Sequence, residues 1–132
     1  MMRAPAWKPT ATTVLVAILA GAGAAHLLAP GNFDPIVPSW MPGAARTTTY
    51  VSGVAELGTA ALISYRPTRR IGGFLALATF VGVYPANIQA ALDGGMKGLH
   101  PPLDSAAVAW LRLPLQFPLF WLAWRVSRSA EV

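Results

Sequence analysis

The sequence predicts an all-α membrane protein, a four-transmembrane-helix antiparallel bundle formed by residues 1–132 as a single domain. Three observations predict it. Charged residues make up 11% of the chain and AVILMFWYC residues 55%, where a soluble domain carries roughly 25% charge. Four apolar stretches each approach the roughly 20 residues that cross a hydrocarbon core of about 30 Å as a helix. The segments between them are rich in Pro, Gly or Arg, the residues that stop helices and sit at membrane interfaces.

Taken in chain order, the spans fall at about 12–29, 49–65, 71–92 and 106–126. The first follows Arg3, Trp7 and Lys8 and is rich in Ala and Gly. A cleavable signal peptide is the alternative reading there, but the apolar run continues past Gly21–Ala25 to Leu28. The first connector, Pro30–Thr48, contains Pro30, Pro35, Pro38 and Pro42 and is long enough to lie over helix ends as a lid. A tight basic turn, Arg66-Pro67-Thr68-Arg69-Arg70, joins the second and third spans. A Gly- and Pro-rich connector, Asp93–Ser105, carries Lys97 and His100 before the fourth span.

Cations set the orientation, because Lys and Arg accumulate on the cytoplasmic side. The tails and the second connector hold Arg3, Lys8, Arg66, Arg69, Arg70, Arg125 and Arg128. The other two connectors hold only Arg46 and Lys97. The expectation is N-in and C-in, multi-pass in the cell inner (plasma) membrane. Trp7, Tyr50, Tyr65, Trp121 and Trp124 fall near the interfaces, where amphipathic rings are stable. A soluble helical bundle would need polar stripes that these segments lack.

Several functions are excluded at this level. The formal charge of +5 is scattered rather than lined along a face, so nucleic acid is not an expected partner. There is no cysteine, which removes disulfide, thiolate-metal and CxxC chemistry. No phosphate loop, GxGxxG turn, HExxH or EF-hand spacing occurs, and no metal site is expected.

The informative residues are those a bilayer disfavours: Glu56, Asn87 and Arg112 within spans, and His26 toward the end of the first. An acid or Arg at a helix centre costs roughly 2.5–3.5 kcal/mol on insertion scales, so such groups turn inward and find partners. Measured from the span ends, all four are expected some 5–10 Å beneath the outer face. Glu56 with Arg112 is the simplest pair. Gln116 lies one turn beyond Arg112, and Tyr84 three residues before Asn87. Pro85, Pro114 and Pro118 are expected to free the carbonyls of Val81, Trp110 and Pro114. Together His26, Glu56, Tyr84, Asn87, Arg112 and Gln116 form a ligand-binding site, a register-fixing polar network or a proton path. The residues alone leave these three open.

Several of these pieces resemble the DoxX-like family of small four-helix membrane proteins. They are Ala25-His26, Pro30–Pro38 with Trp40 and Pro42, Ser52–Leu57, Arg66-Pro67 with Arg69 and Arg70, Val83–Ile88 and Trp110–Gln116. Leu27 and Tyr84 stand where the family pattern favours Phe, which removes a ring contact above the cavity at Leu27. The resemblance implies an accessory subunit of a membrane redox complex, without independent catalytic activity, docked to a membrane-associated redox enzyme. Such a subunit would hold a quinone-like or other small amphipathic molecule in the outer half of the bilayer, with Arg112, Asn87, Tyr84 and His26 as donors to a quinone carbonyl. With no thiol in the chain, electrons would come from the partner's cofactor, and vitamin K epoxide reductase-like chemistry is excluded. A proton-coupled transporter using Glu56, which would require a homo-oligomer or a very small substrate, is the alternative, as is a purely structural or assembly protein.

Overall fold

The computed structural model describes residues 10–128, and within them the protein is all-helical. Arg3, Trp7 and Lys8 lie outside the described residues. Four α-helices follow in order: α1 (Ala11–Leu28), α2 (Ala45–Ser64), α3 (Arg69–Leu92) and α4 (Ala106–Ser127). Single 3-10 turns occupy Pro30–Asn32, Asp34–Ile36 and Arg66–Thr68. Two helix starts have a local cause. The hydroxyl of Thr10 accepts from the Thr13 amide and that of Ser105 from the Val108 amide, so α1 and α4 start on side-chain caps.

Three segments are long and apolar enough to cross a membrane: Ala11–Leu28, Arg66–Leu92 and Ala106–Ser127. Of the four spans expected from the sequence, these three have both the length and the apolar composition, and α2 does not. Helix α2 has the length, 20 residues, but its first turns, Arg46-Thr47-Thr48-Thr49, are polar. It begins four residues earlier than expected because Arg46 and Thr49 are held by the first connector. Arg46 Nε and Thr49 Oγ1 each donate to the Asp34 carboxylate at 2.7 Å.

The core is narrow and lies between the helices: Leu15, Leu19, Ala60, Ile63, Ala76, Phe80, Ala123 and Val126 are buried. Outward-facing side chains are also apolar. Trp110, Leu111, Leu115, Phe117, Trp121 and Trp124 are all more than half exposed along α4 alone, the inverse of a water-soluble surface.

Glycine sets how the helices meet. A Cβ on Gly23 would lie 2.9 Å from the Gly53 carbonyl oxygen, and one on Gly53 would lie 3.0 Å from that of Gly23. Helices α1 and α2 are therefore in backbone contact, a mode suited to an apolar solvent that does not itself drive helices together. At the opposite end, a Cβ on Gly72 would meet Ile63 at 2.7 Å and one on Gly73 would meet Ser127 at 2.5 Å. This end is closed by arginine. Arg69 Nε donates to the Ile63 carbonyl at 2.8 Å and Arg70 Nε to that of Ser127 at 3.3 Å, so guanidinium groups satisfy the final carbonyls of α2 and α4.

Candidate functional site

His26 projects from the last turn of α1 toward α2, where its Nδ1 lies 3.1 Å from Glu56 Oε2. The same nitrogen is 2.7 Å from the Ala22 carbonyl oxygen. A carbonyl only accepts, so the Nδ1 hydrogen is directed there, and Glu56 Oε2 is left buried with no hydrogen bond. Phe33, from the first connector, stacks on the imidazole with centroids 3.8 Å apart. A ring is thus supplied above the histidine although Leu27 does not provide one.

The expected Glu56–Arg112 pair is not formed; among the described residues, the acid's partner is His26. Arg112 is half-buried, and its Nη1 contacts the sulfur of Met96. The cause is register. Counted at 1.5 Å per residue from the level where Ile63, Gly72 and Ser127 meet, Glu56 stands about 10 Å up, Gln116 about 16 Å, Tyr84 about 18 Å, and Asn87 and Arg112 about 22 Å. The shared depth expected from the span ends is therefore corrected. α2 starts earlier than its apolar run, and the glycine contact draws the end of α1 down beside the middle of α2.

The remaining polar residues hold α3 to α4. Gln116, buried, donates from Nε2 to the Phe80 carbonyl at 3.1 Å. The Tyr84 hydroxyl lies 3.5 Å from the Leu113 carbonyl, and its ring packs against Phe117 and Phe120. Side-chain donors thus reach carbonyls next in sequence to Val81 and Pro114, rather than those the prolines free. Both α3 and α4 run unbroken through their prolines. Asn87 is 7% exposed, and its side chain makes no hydrogen bond among the described residues.

A concave feature lies at the upper level. A cavity of about 560 Å³ opens between the first connector and the end of α3. Pro35, Val37, Pro38 and Trp40 form one wall, Ala86 and Ala90 the other, and Met96 closes it on the side of Arg112. Its polar lining is Ser39, Gln89, Asp93 and Lys97, with Gln89 Nε2 donating to Asp93 at 2.9 Å. The connector does act as a roof, as its length suggested. The six residues singled out from sequence line none of this cavity. Trp40, Gln89 and Met96 were missed because an exposed Trp, an amide on a helix end and a Met in a loop carry no burial penalty that would mark them.

The Asp34 carboxyl at the roof's edge is held below the usual carboxylate range, first by the Thr49 hydroxyl and then by Arg46. No group of three or more His, Asp or Glu side chains that could hold a metal occurs among the described residues. No curated protein and no solved structure matches the chain. A family model does match residues 15–127, nearly the whole of the described structure, and the chain belongs to that family, a domain of unknown function (DUF8561).

Proposed function

We propose that the chain is a four-span protein of the inner (plasma) membrane, an antiparallel bundle with both termini cytoplasmic, that binds a small amphipathic molecule at its outer end. In this reading α2 is the fourth span. Its 20 residues reach about 30 Å, and its polar first turns are the part clipped by Asp34. Cation placement supports the orientation: Arg66, Arg69, Arg70, Arg125 and Arg128 gather at one end, against Arg46 and Lys97 at the other.

The single observation that carries the binding role is the cavity of about 560 Å³ under the first connector. It has the size of small-molecule sites, and it joins an apolar wall of Pro35, Val37, Pro38 and Trp40 to a lining that is on balance more polar than apolar. The DoxX-like resemblance adds that the protein is an accessory subunit of a membrane redox complex, for which the occupant would be quinone-like. Glu56 is not among the cavity's lining residues, so the transporter reading draws no support from it. The His26–Glu56 pair beside the glycine contact favours a register-fixing role for those two residues.

Two measurements test the reading. The chain has no native cysteine, so Ser39→Cys and Arg66→Cys can be probed with a membrane-impermeant maleimide. Ser39→Cys should label in intact cells and Arg66→Cys only after permeabilisation; the reverse pattern refutes the topology. Mass spectrometry of protein released from native membranes should find a co-purifying amphiphile. It should be lost when Ala90→Trp fills the cavity, and retention in that variant refutes the site.

A further inference from the structure

Arg112 carries five N–H donors on a permanently charged group. Among the described residues it has no carboxylate within ion-pair distance, and the one contact its guanidinium makes is with the Met96 thioether, a weak acceptor. A half-buried cation on a membrane helix is stable when an anion or several strong acceptors satisfy it. Met96 is 4% exposed, yet it is also part of the cavity wall. One unbranched, flexible side chain therefore separates the guanidinium from the cavity.

We infer that the cavity's occupant is an amphipathic anion whose oxyanion reaches Arg112 when the Met96 side chain swings aside. The inference rests on the amphiphile-binding reading and sets an anionic occupant in place of the quinone-like one that the family resemblance suggested. The apolar body would lie against Pro35, Val37, Pro38 and Trp40. Asp93 and Lys97 both line the cavity, and the Asp93 carboxylate already accepts from Gln89. Asp93 and Lys97 are equal and opposite in formal charge, so Arg112 behind Met96 leaves this region net positive. A carboxylate or a phosphate monoester offers two or more acceptor oxygens in the planar geometry a guanidinium prefers. A neutral carbonyl supplies one acceptor and leaves the charge uncompensated.

The test is native mass spectrometry of the full chain in detergent with four probes: palmitate, decyl phosphate, methyl palmitate and decyl-ubiquinone. Palmitate or decyl phosphate should be retained over the ester and the quinone by about ten- to a hundredfold, the range of a charged hydrogen bond. Which of the two acids binds tighter identifies the head group as carboxylate or phosphate. Arg112→Gln should abolish that preference without changing ester retention. Should Arg112→Gln fail to fold, Met96→Ala replaces it: opening the wall should strengthen retention of the acids and leave the ester unchanged. Equal retention of acid and ester by the unmodified chain, stronger retention of the quinone, or an acid preference that survives Arg112→Gln overturns the inference while leaving the cavity reading in place. Retention of none of the four overturns both.

Discussion

Replacing Gly53 with Ala isolates what holds α1 to α2. The new methyl would lie 2.8 Å from His26 Cβ, 3.0 Å from the Gly23 carbonyl oxygen and 3.2 Å from Leu27 Cδ2. Ordinary carbon contacts sit near 3.5–4.0 Å. Two of the three neighbours are a backbone oxygen and a Cβ, which rotamer changes do not move, so the helices must part by about 0.5–1 Å. Overpacking of this kind costs about 1–3 kcal/mol, while Ala in place of Gly returns about 1 kcal/mol of helix propensity. Gly58, one and a half turns along the same helix, provides the control, because a Cβ there meets nothing within 4 Å. Gly58→Ala gains the propensity without the clash. The difference between the two variants is then the steric cost alone, about 1–3 kcal/mol, or roughly 3–10 °C in Tm for a chain of this size. Thermal unfolding in one detergent, followed by tryptophan fluorescence, measures it. Equal Tm values for Gly53→Ala and Gly58→Ala would refute backbone contact as the determinant of register.

The remaining predictions concern the polar contacts. Asp34 has its folded pKa lowered, so the clip is present above the ordinary carboxylate value of 3.8 and is lost as pH falls through the lower folded value. Hydrogen exchange of Thr49 and its neighbours should accelerate below that range, and Asp34→Asn should remove the pH dependence. Gln116→Leu should cost about 0.6–1 kcal/mol through loss of the bond to the Phe80 carbonyl, with the loss of stability seen as a lower denaturation midpoint; no change would mean that the bond carries no net stability. In a double-mutant cycle, His26→Ala and Glu56→Gln should show a coupling of about 0.5–2 kcal/mol, and additive effects would dissolve the pair. His26→Ala in an Arg112→Gln background should be additive, since the two levels do not touch.

The helices were legible because their signal is local. An apolar run bounded by Pro, Gly or Arg is enough, and α4 begins at the expected Ala106 on its Ser105 cap. The start of α2 was not legible. Ala45–Thr48 lacks apolar periodicity, and what makes it helical is a carboxylate at Asp34 that reaches it only after the connector folds back. The pairing of Glu56 was illegible for a related reason. Depth from a span's end is a good coordinate only when neighbouring spans are level. The contact that offsets α1 is made by Gly23 and Gly53, residues whose meaning depends on what lies across from them. The cavity was half legible: the connector's length predicted a roof, but the roof covers the end of α3 rather than the buried polar groups.

The packing is uneven around the circuit. α1 is pressed to α2 and α3 to α4, α2 meets α3 less extensively, and α1 and α4 touch least. Mechanically the molecule is two hairpins hinged at Arg66–Thr68, with a seam along α1 and α4. A hydrocarbon tail, or a helix from another polypeptide, would meet least resistance entering there, while the close approach of Gly72 to Ile63 keeps the two halves tied beside the turn.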